Sequence, residues 1–160
     1  MLLASLHREI YRLVAWVIRL KTALSSLPDQ VSSQVGYVVI KTLGDLMPGN
    51  SVCDYGIPGS PEDITRAFID EWLQDWEAET ESILQGDAVG IDIHFEEVRQ
   101  ASYGVVTCLN NAVRTLEELP PQVGEGLIQV WYSLWSYHGY ANIVSRFVDE
   151  WIQEWMYRLA

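Results

Sequence analysis

Positive charge is scarce in this sequence. Ten lysines and arginines face twenty-two aspartates and glutamates, a formal net charge of −12. That balance argues against a protein that binds nucleic acid by neutralising phosphates. Cysteine is scarce too. Cys53 and Cys108 are the only two, too few for a disulfide framework. They read as free thiols of a reducing compartment, and the expected location is cytoplasmic. The three histidines, His7, His94 and His138, have no ligand spacing and accompany no recognisable nucleophile motif. No Glu-x-x-His pair is present for a di-metal site. No Gly-rich phosphate loop is present either. Glu71 and Asp75, like Glu150 and Glu154, stand four apart rather than three, which departs from the usual paired-carboxylate pattern for magnesium, and the adjacent Glu96 and Glu97 are expected to point to different sides. The expectation is therefore a chain with no catalytic site, no metal and no cofactor. Long uncharged hydrophobic runs are missing as well. The apolar opening, Met1–Lys21, is interrupted by Arg8, Glu9, Arg12 and Arg19, which excludes a span of ~18 apolar residues.

What remains is a globular composition. Apolar residues make up 49% and charged residues 20% of 160 positions, enough for one domain that buries roughly 70% of its unfolded surface. Charge is unevenly spread. Residues 61–97 hold twelve carboxylates against Arg66, whereas residues 1–27 hold four basic side chains against Glu9.

The chain also repeats itself. "FIDEWLQDW" at Phe68–Trp76 returns as "FVDEWIQEW" at Phe147–Trp155, and Ile64–Trp76 matches Ile143–Trp155 at seven of thirteen positions. A second offset, of 92 residues, pairs "LPDQV" at Leu27–Val31 with "LPPQV" at Leu119–Val123, and pairs Tyr11 with Tyr103. The two offsets, 79 and 92, differ by an insertion in the first copy over residues 48–60. Two copies are a duplication rather than a solenoid, which usually needs about three units or more.

Each copy reads as three helices. The first covers about residues 2–26 and ends at Pro28; its counterpart covers 93–118 and ends at Pro120. The second covers about 30–47, with "GYVVI" at Gly36–Ile40 as its ambiguous β-branched stretch, and its counterpart covers 122–137. The third opens at "SPED", with Ser60 as N-cap and Pro61 at the first helical position, and recurs over 143–155. Residues 1–84 and 93–160 form the two units, with 85–92 as linker and one shared core. The expected fold is an all-α six-helix bundle, two related three-helix repeats about a pseudo-two-fold axis, with the two third helices packed near that axis.

Three sets of residues are candidates for function. The tryptophan pairs 72/76, 131/135 and 151/155 coincide with the apolar stripes, which favours core packing, each indole N–H finding a partner, over a ligand pocket. Asp63, Asp70, Glu77 and Glu81 fall on one line of the third helix, and this ridge suits a basic protein surface or imitates a phosphate backbone. Arg8, Arg12 and Arg19 form a stripe on the first helix that would answer the ridge of another copy. The functional expectation is a non-catalytic acidic module acting through protein–protein interaction or self-assembly. The alternatives are a nucleic-acid mimic that inhibits a DNA- or RNA-binding protein, and a carrier or enzyme with a Trp-lined pocket.

Overall fold

A computed structural model describes residues 2–44, 46, 61–84, 91–136 and 141–160. Among them every regular element is helical and there is no strand. The helices are α1 (Leu2–Ser25), α2 (Asp29–Gly44), α3 (Pro61–Leu84), α4 (Ile91–Leu116), α5 (Gly124–Trp135) and α6 (Ala141–Arg158). No helix of the described residues is long and apolar enough to cross a membrane. "GYVVI" lies inside α2, so its β-branched residues yield to the helical burial of Val31, Val35, Val39 and Leu43.

Element ends follow local chemistry. Pro28 and Pro120 close α1 and α4 within four residues of their last turns. The fifth helix differs from expectation at both ends. A 3-10 turn, Pro121–Val123, precedes it because Pro121 lacks an N–H and suits an opening position, and Ser136 leaves the helix at ψ 162°. α4 starts at Ile91, two residues into the expected linker, placing Asp92 in its first turn where the helix dipole favours an acid. Ser60, Cys53, His138, the insertion 48–60 and linker residues 85–90 lie outside the described residues.

α1 and α4 form the centre. Leu3, Leu6, Ile10, Leu13, Val17, Leu20 and Leu24 are buried at alternating steps of three and four. Phe95, Val98, Ser102, Val105, Leu109, Ala112 and Leu116 repeat that rhythm on α4. Steps of this kind keep one seam facing a partner helix. The pair is antiparallel. Trp16 sits on Gly104, while residues 18–23 of α1 share a groove with residues 92–101 of α4. α3 packs on α4 and α2, and α6 packs on α1 and α5. The third helices therefore do not form the central packed pair that the sequence led us to expect. α1 and α4 take that place because their apolar arcs are broad, whereas α3 and α6 carry acids along the borders of theirs.

Two tryptophans are seated on glycines. A Cβ at Gly104 would lie 2.1 Å from the ring of Trp16, and one at Gly126 would lie 2.1 Å from the ring of Trp151. Only hydrogen at those positions lets an indole lie on the helix backbone. Trp131 and Trp151 are buried and Trp16, Trp76, Trp135 and Trp155 half-buried, while Trp72 stays 43% exposed. Along the line Ile64–Phe68–Trp72–Trp76 burial falls from buried Ile64 through half-buried Phe68 to exposed Trp72. The inward face of α3 is centred one residue further on, at Thr65, Ile69, Leu73 and Thr80, with Ile64 at its edge. The Nε1 atoms of Trp135 and Trp151 have no hydrogen-bond partner among the described residues, contrary to the expectation of a partner for each indole. The hydroxyls of Thr42, Thr80 and Ser102 each donate to the carbonyl four residues earlier, at 2.8, 2.7 and 2.7 Å.

Cys108 is a buried free thiol on α4. Burial pushes its pKa up to about 11, and the charge of Glu9 acts in the same direction against Arg12. In a Cys53→Ser variant, the remaining thiol is expected to stay unreacted with a chromogenic disulfide reagent at neutral pH. It should react fully once urea unfolds the chain, and rapid labelling of the folded variant would contradict this packing.

Candidate functional site: an acidic groove between three helices

An open groove of about 1110 Å³ lies between α1, α3 and α4. Leu73, Phe95, Ala23 and Ala101 form its buried floor. Ile18 and Ile93 also line it, and they remain 40% and 59% exposed. Its charged lining is Asp70 and Glu77 from α3, Asp92, Glu96 and Glu97 from α4, and the two cations Arg19 and Arg99.

The cations are partly committed already. Arg19 lies 4.5 Å over the Trp16 ring, and Arg99 donates to Glu96. Glu96 also accepts from Gln100 at 2.9 Å. That bond, with Arg99 beside it, holds the Glu96 carboxyl below the usual carboxylate range. Glu77 shifts the other way. Burial raises its pKa, and Glu81, Asp92 and Glu96 add like charge that Arg99 only partly offsets. The groove therefore holds negative charge in excess of what its own arginines answer.

The candidate residues of the sequence separate in space. Asp70, Glu77 and Arg19 come together in the groove. Asp63 and Glu81 are exposed on α3 outside its lining. Arg8 is exposed on α1, and Arg12 pairs with Glu9 at 2.8 Å within its own helix. Asp70 and Glu77 are half-buried, so the four acids do not stand as one exposed line. Glu96 and Glu97 line the same groove despite being neighbours, because successive helical residues are only about 100° apart and the opening uncovers a wider arc. Asp92, Ile93 and Arg99 were not singled out from the sequence. The available signal was the run Asp92, Glu96, Arg99 at steps of four and three on one helix face.

Asp70 and its counterpart on α6 are held by tyrosines of the central pair. Tyr103 on α4 donates to Asp70 on α3. Tyr11 on α1 donates to Asp149 on α6 at 2.6 Å, and His7 Nε2 lies 2.8 Å from the same oxygen. The guanidinium of Arg66 lies 5.4 Å from the Tyr103 ring and donates to Thr107 at 2.9 Å. Burial, then the hydrogen bond to Asp70, then the charge of Asp70 push the Tyr103 phenol up to about 12. Its folded pKa exceeds the unfolded value, so its contribution to stability is complete below pH ~10 and is lost between pH ~10 and ~12. Ultraviolet titration is expected to show one phenol ionising last among the tyrosines. In Asp70→Asn that phenol should titrate earlier, and an unchanged curve would remove the bond from the account. The bonds to Tyr11 and His7 hold Asp149 below the usual carboxylate range.

Among the described residues no group of three or more His, Cys, Asp or Glu side chains is placed to hold a metal ion. His94 Nδ1 lies 4.0 Å from Glu97 on the same helix. Compared with protein-family models, curated proteins and solved structures, the chain has no match.

Proposed function

We propose that this chain is a non-catalytic protein-interaction module, built by duplication of a three-helix unit and binding partners through its acidic face. The observation that carries the reading is the acid excess along α3 together with the groove at its edge, where apolar side chains stay exposed beside carboxylates that outnumber their cations. Such a surface gains from a partner that supplies both positive charge and apolar contact.

The duplication is supported by packing as well as by spelling. All seven seam positions of α1, from Leu3 to Leu24, map by the offset of 92 onto the seven buried seam positions of α4, from Phe95 to Leu116. The repeat-related pairs Tyr11/Tyr103 and Asp70/Asp149 make crossed hydrogen bonds, each joining a first helix to the third helix of the other unit. In this reading the units 1–84 and 93–160 share one core, with α1 and α4 at the pseudo-axis. The insertion and the acids of α3 distinguish the first unit.

Affinity capture with wild-type protein, against a variant carrying Asp63→Lys, Glu71→Lys, Asp75→Lys and Glu81→Lys, tests the wider reading. A partner held by wild type and released by charge reversal supports it. A native mass spectrum showing a retained small molecule overturns it in favour of a carrier. Sedimentation at low and high salt reports self-association, which exposed ion pairs would sustain only at low salt.

A further inference from the structure

We propose that the groove between α1, α3 and α4 docks a basic amphipathic helix from another protein. The inference rests on the interaction-module reading and names the partner's chemistry. The groove runs beside α4 from Asp92 to Ala101, about 13 Å at 1.5 Å per residue. That length takes two to three turns of a helix at about 5.4 Å per turn.

Its walls state what those turns must carry. Ile18 and Ile93 are exposed and have apolar surface to bury, which calls for an apolar stripe on the occupant. Glu77, Asp92 and Glu97 then meet the flanks of that stripe, where lysine or arginine is required.

The chain's own undescribed segments, 45, 47–60, 85–90 and 137–140, contain no lysine or arginine and so do not supply the basic flanks. A second copy is a poor fit as well. Of the ten cations, Arg12, Arg99 and Arg158 pair with acids of their own helices and Lys21 donates to the Leu134 carbonyl. The remaining cations form no amphipathic basic helix. Nucleic acid is excluded by sign, since the lining repels phosphate.

Fluorescence anisotropy with a designed Leu/Lys amphipathic peptide of about four turns, at ionic strength near 0.05 M, tests the proposal on the full chain. Tight binding is expected, with loss of about tenfold or more when lysines become glutamines or when scrambling destroys the apolar stripe. Glu77→Gln/Asp92→Asn/Glu97→Gln should weaken binding about tenfold, and Ile93→Ser should weaken it with no change of charge. The matched variant Glu71→Gln/Asp75→Asn/Glu79→Gln, outside the groove, should leave it within about twofold. Equal losses in the two triple variants, equal affinity for the scrambled peptide, or no binding overturns the groove assignment. The wider reading then still stands if charge reversal on α3 releases a captured partner, and falls if that capture is charge-independent.

Discussion

Gly126→Ala is expected to destabilise the protein by at least about 2 kcal/mol, although alanine favours helix over glycine by about 1 kcal/mol. The two effects oppose each other, and their magnitudes decide the sign. The new methyl would stand 2.1 to 2.4 Å from three ring atoms of Trp151, a rigid indole only 6% exposed. Overpacking of a core costs about 1–3 kcal/mol, and more where neither side can move. For a chain of this length each 1 kcal/mol shifts Tm by about 2–4 °C, so a fall of several degrees is expected in thermal unfolding. A double-mutant cycle isolates the cause. In a Trp151→Ala background the same Gly126→Ala change should become neutral or stabilising, since only the helix-propensity gain remains. Stabilisation by Gly126→Ala in the wild-type chain would show that the indole does not rest on α5. Gly104→Ala should cost less, because Trp16 is half-buried and its ring has solvent to swing into.

Leu13→Ala should be the most damaging simple truncation, costing about 2–5 kcal/mol. Leu13 is fully buried in the α1–α4 seam, where neighbouring elements on several sides prevent collapse into the space left. Against a typical total of about 5–15 kcal/mol, that loss would be plain in urea unfolding as a lowered midpoint. Ile143→Ala supplies the contrast. The sequence places Ile143 in the apolar stripe of the last helix, yet it is 57% exposed, so its truncation should stay within about 0.5 kcal/mol. Comparable effects at the two positions would mean that the α1–α4 seam is not the centre of the core.

Legibility varied with the length scale of the signal. The six helices could be read because each depends on a periodic stripe and a breaker inside its own segment, as with Leu3 to Leu24 followed by Pro28. Boundaries were less legible. The turn at Pro121–Val123 and the start of α4 at Ile91 depend on which backbone groups find partners, a matter of one or two residues. The candidate site was half legible. Asp70, Glu77 and Arg19 were singled out for charge and spacing alone, and the groove gathers those three while leaving Asp63, Glu81, Arg8 and Arg12 outside its lining. Asp92, Ile93 and Arg99 were missed because their importance comes from facing α1 and α3 across a gap, and no spacing within α4 encodes that gap.

The sequence by itself determined the all-helical class, the repeated phrase and the excess of acid on residues 61–97, since all three are properties of neighbours along the chain. Only the tertiary structure decided which helices pair at the centre, which tryptophan stays in solvent and which acids crowd one groove. Trp72 and Trp151 occupy the same place in the repeated phrase, yet α6 lies against Gly126, where the corresponding residue of the first unit is Gln34. Burial is settled by what the opposing helix leaves room for, and that information lies on another part of the chain.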